Sequence, residues 1–165
     1  MSQPSSLDTI LNDLGAPGWT KDYIAPGTQY RVAVIGAGVS GIAAAYRLQQ
    51  AKVEFTVYEK NEEVGGVWWE NRYPGCRLDT PNFAYSLSFA QKPDWPQQFS
   101  RQTEIHSYLK TVAESAGMRR NIQFGSEVDT MVFDEHRGIW TLTVRDRSGK
   151  ITSEEFNAVV TAVGI

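Results

Sequence analysis

Apolar and polar positions along the chain change their period several times, and each change predicts an element. The short apolar run Val32 to Ile35 reads as a buried strand, and Val39, Ile42, Ala43 and Tyr46 follow at i, i+3, i+4, i+7, the spacing of one helix face. Val53 to Tyr58 supplies a second strand. From Asn61 to Ser100 no period holds; the stretch carries Pro74, Pro81, Pro93 and Pro96 together with Trp68 and Trp69, as expected of a long loop ordered around something. A second helix is predicted from Thr103, as N-cap, to Gly117, as C′ residue, with Ile105, Tyr108, Leu109, Val112 and Ala116 on its apolar face. Three strands follow, Glu127 to Phe133, Ile139 to Arg145 and Ile151 to Phe156, at a spacing that implies an antiparallel meander. In the middle one, Trp140, Leu142 and Val144 alternate with Thr141, Thr143 and Arg145, a half-solvated pattern. The last run, Ala158 to Val163, is apolar enough for a buried parallel strand returning to the first sheet. The predicted class is α/β: a Rossmann-like βαβ unit with a parallel sheet and a three-stranded antiparallel meander as crossover.

Composition narrows the classes of partner. The 165 residues carry a net charge of −3, are 41% hydrophobic and 21% charged, and fit one globular domain without a general attraction for nucleic acid. No apolar stretch reaches the ~20 residues that a membrane-spanning helix needs. Cys76 is the only cysteine, so no intrachain disulfide or C-x-x-C pair exists, and the first residues, MSQPSSLDT, lack the features of a signal peptide. A cytoplasmic protein is expected. Residues 1–29 read as an extension with a short helix around Leu7 to Leu14, whose Trp19, Tyr23 and Ile24 dock on the core or on a partner surface; 30–165 read as the nucleotide-binding domain.

The chemistry begins where the first strand meets the first helix. Gly36, Gly38 and Gly41 form G-x-G-x-x-G there. Gly36 permits a sharp turn, Gly38 lets backbone approach a pyrophosphate, and Gly41 lets the helix pack closely on the strand. Ser40 lies in the first helical turn, whose free N–H groups favour phosphate. Glu59 ends the second strand, where a carboxylate can accept both hydroxyls of an adenosine ribose and repel a 2′-phosphate.

Ile42 to Tyr58 are seventeen residues, Glu59 follows them, and Gly65-Gly66 comes next. This spaced set resembles the two-dinucleotide-binding-domain flavoproteins. Within that group GGVWWENRYPGCRLDTPNFAYSLSF, Gly65 to Phe89, is similar to the FAD-domain signature of Baeyer–Villiger monooxygenases. The resemblance implies FAD contacts along Gly66, Val67, Trp68, Trp69 and Glu70, with Lys60 beside Glu59. It also implies cofactor contacts at Arg77, Leu78 and Asp79, the end of R-Y-P-G-x-R-x-D. The resemblance makes Asp79 the candidate catalytic residue, a carboxylate orienting an arginine that lies outside this chain. Tyr85 would contact FAD, Val128 would meet the adenine through its backbone, and Gln102 is a further carry-over. The implied reaction is NADPH- and O2-dependent oxidation of a ketone to an ester or lactone, with FAD as the bound cofactor and NADPH held mainly by a part not in this chain.

The residues leave alternatives beside that resemblance. Trp68 and Trp69 offer flat apolar surface with one donor each, or simply anchor a long loop. Asp79 precedes Thr80-Pro81, so an Asx turn explains it as well. Arg72 and Arg77 bind cofactor phosphate or cover surface. Cys76 has no paired histidine, and His106 and His136 lack ligand-type neighbours at metal spacing. No Tyr-x-x-x-Lys pair suggests a short-chain dehydrogenase. The second G-x-G-x-x-G of an NADPH domain and the fingerprint F-x-G-x-x-x-H-x-x-x-W are missing, so a truncated flavoprotein, inactive alone, is expected. A flavin-containing N- or S-monooxygenase and a non-catalytic dinucleotide-binding module are the competing readings. Apolar surface around Trp68, Trp69 and Phe89 is expected to be exposed and to promote association.

Overall fold

The computed structural model describes residues 30–164; the readings of residues 1–29 lie outside the described residues. Strand β1 (Arg31–Ile35), helix α1 (Val39–Gln50) and strand β2 (Glu54–Glu59) form the expected parallel unit, Val32 opposite Phe55 and Val34 opposite Val57. The long segment after it contains a one-turn helix α2 (Val67–Glu70) and a 3-10 turn (Asn82–Ala84). Helix α3 (Gln102–Ser115) and a 3-10 turn (Met118–Asn121) lead to β3 (Ile122–Phe124), then to β4 (Ser126–Asp134), β5 (Ile139–Asp146), β6 (Ile151–Phe156) and β7 (Ala158–Thr161). The parallel sheet runs β3-β2-β1-β7, and the antiparallel sheet runs β4-β5-β6.

Strand alternation sorts the side chains between two cores. Val32, Val34, Phe55 and Val57 point to the layer of α1 and α3, where Ile42, Ala45, Ile105, Leu109 and Val112 are buried. Ala33 and Tyr58 point the other way, onto Leu142, Val144 and Phe156 of the meander. The meander is therefore a third layer on the opposite face of the parallel sheet. The expected alternation of β5 holds, with Leu142 and Val144 buried and Arg145 exposed.

Four expectations are corrected. β3 was not predicted; it adds a third parallel strand beside β2 through the register Val57 to Ile122 and Glu59 to Phe124. The buried face of α1 is Gly41, Ile42 and Ala45 rather than Ala43 and Tyr46, because the small residues let the helix axis come close to the sheet. Helix α3 starts earlier than Thr103: Arg101 is its N-cap residue, and Glu104 reaches back to accept the Arg101 N–H at 2.9 Å. At its other end Ala116 is the C-cap and Gly117 takes the left-handed conformation, φ 66°, as expected of a C′ residue. Finally β7 is parallel to β1 but only half-buried, since it is the sheet's edge and Val160 is 37% exposed.

Of the residues expected to expose apolar surface, Trp68 is buried and Trp69 and Phe89 are half-buried. Trp68 is 8% exposed, and Phe89 stacks on Tyr46 at 3.7 Å, so the loop is sealed against α1. The exposed apolar side chains lie elsewhere, at Val67, Phe83, Val132, Ile151 and Val163 among others. No helix among the described residues is long and apolar enough to cross a membrane.

Candidate functional site

The site forms where two glycine loops meet at the carboxyl end of β1 and β2. Gly36 has φ +99°, and a Cβ on it would lie 2.6 Å from the Ala162 carbonyl oxygen. A Cβ on Gly41 would lie 1.9 Å from the Gly36 carbonyl oxygen. These two glycines thus serve the chain's own close packing. Gly38 faces the second loop: Gly65 N–H donates to the Ala37 carbonyl at 2.9 Å, and a Cβ on Gly66 would lie 3.1 Å from Gly38 Cα. The two loops abut with no side chain between them. Helix α1 starts at Gly38 without a side-chain cap and without an acid in its first turn, and exposed Ser40 sits there. Its first N–H groups have no partner within the helix, so this end of the dipole presents donors to an anion.

Glu59 is buried at the end of β2. One carboxylate oxygen accepts the Ala37 N–H at 2.7 Å and the other accepts the Asn61 N–H at 2.9 Å. A carboxylate has about four lone-pair directions, so two remain for further donors. Lys60 and Glu70, both expected at the cofactor, engage each other at 3.0 Å, and Asn61 Nδ2 also donates to Glu70 at 2.9 Å. The Asn61 amide and the Lys60 ammonium hold Glu70 below its ordinary range, and Glu70 pushes Lys60 up.

Val67 opens α2 exposed, and Trp68 turns inward. Trp68 Nε1–H donates to the Tyr85 hydroxyl at 2.9 Å, and the two rings meet edge to face at 5.9 Å. Trp69 packs on the His106 ring at 5.4 Å and under the Arg72 guanidinium at 3.8 Å. Val128 lies on β4, and the β3–β4 turn is tied to the loop after Glu59 by Gly125 N–H donating to the Asn61 carbonyl at 2.9 Å. Gly36, Gly38, Ser40, Gly41, Glu59, Gly66 and Val67 are therefore brought together, and Val128 is held beside them.

The Arg77 to Asp79 segment is less closely bound to that group. Leu78 is buried in the helix-side core, whereas Arg77 and Asp79 are exposed, and no hydrogen bond to the Asp79 side chain occurs among the described residues. Arg77 stands directly opposite Arg101 in an antiparallel bridge framed by Leu78 N–H to Ser100 O and Gln102 N–H to Cys76 O. Like charges so placed repel unless an anion shares them. With Arg72 they line a cleft of about 390 Å³.

Sequence reasoning missed Asn61 and Glu63. Glu63, buried just ahead of the glycine pair, accepts from Arg119, from Lys110 at 3.3 Å and from the Val64 N–H at 2.9 Å. Burial pushes the Glu63 carboxyl up, but these donors outweigh it and hold the group below its ordinary value. The contribution is fully present above the unfolded carboxyl's pKa, about 4.3, and is lost as pH falls through the lower folded-state value. Thermal unfolding of wild type and Glu63→Gln between about pH 6 and pH 3 should therefore converge toward the acid end; parallel curves would refute the coupling.

The family model of an NAD(P)-binding Rossmann-like domain matches residues 34–101. An FAD-binding monooxygenase of Dothistroma septosporum is 44% identical over 128 residues, 76% of this chain and 20% of that protein. A Baeyer–Villiger monooxygenase of Streptomyces coelicolor is 44% identical over 136 residues, 81% of this chain and 25% of that protein. A solved steroid monooxygenase bound to NADP superposes with a TM-score of 0.71 at 38% identity, over 82% of this chain and 26% of that one. The chain spans about a fifth to a quarter of the length of the curated relatives it matches. In motif, fold and identity alike, the chain is thus similar, over the stretch it shares with them, to FAD-binding monooxygenases of the Baeyer–Villiger type.

Proposed function

We propose that residues 30–165 are the FAD-binding portion of an NADPH- and O2-dependent monooxygenase that converts ketones to esters or lactones. The observation that carries the reading is the side-chain-free contact of Gly38 with Gly66 in front of an uncapped helix N-terminus, with buried Glu59 alongside. These residues fit a dinucleotide: a pyrophosphate needs backbone donors and close approach, and a ribose needs an acceptor at the strand end. Gly36, Gly38, Ser40 and Gly41 would hold the pyrophosphate, and Glu59 the ribose. Lys60 and Glu70 would flank the ribose as a neutralised pair, and the Val128 backbone would meet the adenine. Gly66 and Val67 would line the flavin, with Trp68, Trp69 and Tyr85 as the packed wall that excludes water from it. FAD, when bound, supplies the redox chemistry by which electrons from NADPH and one atom of O2 reach the substrate.

Arg72, Arg77 and Arg101 give this chain a positive cleft for an anionic second cofactor such as NADPH, and exposed Asp79 is free to orient a cation from elsewhere in the full-length enzyme. The single cysteine and the NADPH requirement fit a cytoplasmic setting. The match of Arg72 to Asp79 favours carbonyl over heteroatom oxidation. The purified chain mixed with FAD should retain the flavin through gel filtration, giving a two-banded visible spectrum. A colourless protein that refuses added FAD would overturn the reading.

A further inference from the structure

Gln102, His106 and Lys110 of α3 stand four positions apart, so they share one helix face, alongside the buried stripe of Ile105, Leu109 and Val112. Each touches a different point of the loop that carries the second glycine pair. The Gln102 amide donates to the Trp68 carbonyl, His106 Nε2 lies 3.1 Å from the Val64 carbonyl oxygen, and Lys110 pairs with Glu63 at 3.3 Å. Gly65 and Gly66, at φ +128° and +55°, are the conformationally permissive residues between these anchors. A Cβ on Gly65 would lie 2.9 Å from His106 Cδ2, while one on Gly66 would lie 3.1 Å from Gly38 Cα. The His106 ring, the glycine pair and the first glycine loop are thus stacked without slack.

We propose that the Gln102–His106–Lys110 face of α3 is a positioning device that sets the Gly65-Gly66 loop against Gly38 and so tunes how tightly the flavin cofactor is held. The last clause rests on the FAD reading above. The apolar stripe of α3 already docks the helix; the Gln102 and His106 contacts go instead to loop backbone and the Lys110 contact to the Glu63 carboxylate, and the Val64 carbonyl, held by His106, fixes the peptide plane that leads into Gly65, at φ +128°. With the carbonyl as acceptor, His106 Nε2 carries the proton.

The test compares His106→Phe, which keeps a ring against Trp69 and loses the donor, with His106→Gln, which restores an N–H donor at similar reach. Amide hydrogen exchange across residues 64–70 reads the loop directly, Gly65 N–H being the bond to Ala37, and flavin fluorescence titration reads the FAD Kd. His106→Phe should raise exchange there roughly fivefold and weaken FAD roughly fivefold, the value of one neutral hydrogen bond. His106→Gln should stay within about twofold of wild type. Unchanged exchange in His106→Phe, or an equal rise across β1 and β5, overturns the proposal. If wild type binds FAD and neither readout moves in His106→Phe, the proposal falls while the FAD reading stands. If wild type takes up no FAD yet exchange rises locally, the FAD reading falls and takes the cofactor clause with it.

Discussion

Replacing Gly41 with alanine is expected to destabilise the protein by about 3 kcal/mol or more, at or above the upper end for overpacking. Helix propensity alone predicts the opposite, because Ala is favoured over Gly inside a helix by about 1 kcal/mol. Sterics decide: the added Cβ would lie 1.9 Å from the Gly36 carbonyl oxygen and 2.9 Å from its carbon. Gly36 cannot retreat, since its N–H is bonded to the Tyr58 carbonyl at 2.8 Å and the Ala162 carbonyl stands on its other side. Helix α1 must lift instead, uncovering Ile42 and Ala45. Thermal unfolding should show a loss of roughly 6–12 °C for a chain of this size, while Ser40→Ala, on the exposed side of the same turn, should leave the midpoint nearly unchanged. A Gly41→Ala midpoint within a degree or two of wild type would refute the packing argument.

The glycine motif discloses the unit but not the packing partners of its glycines. The spacing of Gly36, Gly38 and Gly41 after an apolar run was enough to place a βαβ unit and a phosphate-accepting helix end. The partner of each glycine was not readable: Gly36 and Gly41 make room for the chain's own carbonyls, and Gly38 makes room for Gly66, which is 28 positions away. β5 was legible because its side chains alternate along Ile139–Asp146, and β3 was not because Ile122-Gln123-Phe124 is too short to show a period. Glu59 was legible as an acid at a strand end. The Glu63 network was not, since Lys110 and Arg119 reach it from a helix and a 3-10 turn that only tertiary packing brings alongside. Trp68 was legible as a large apolar surface, but its Tyr85 partner depends on how the long loop folds back.

That folding back rests on Asn82, and Asn82→Ala is expected to cost about 2–4 kcal/mol. Asn82 is 3% exposed, and Ser100 is fully buried beside it. The Asn82 side-chain oxygen accepts the Ser100 N–H at 2.9 Å, and its amide donates to Ser100 Oγ at 2.6 Å and to the Gln97 carbonyl. Alanine removes three hydrogen bonds and strands the Ser100 N–H away from water, where an unsatisfied donor costs about 1–3 kcal/mol by itself. Ser100→Ala loses only the hydroxyl contact and should cost about 1 kcal/mol, so the difference isolates the backbone clamp. The clamp closes residues 82–100 into a bracket, and the Tyr85 hydroxyl on its inner side accepts the hydrogen bond from the Trp68 indole N–H. Its loss should therefore raise hydrogen exchange at Ser100 and Tyr85 before that of β1. Denaturant unfolding that puts Asn82→Ala within about 0.5 kcal/mol of wild type would show that the bracket is held by its apolar contacts, Phe89 on Tyr46 and Trp95 on Tyr108, and not by the amide.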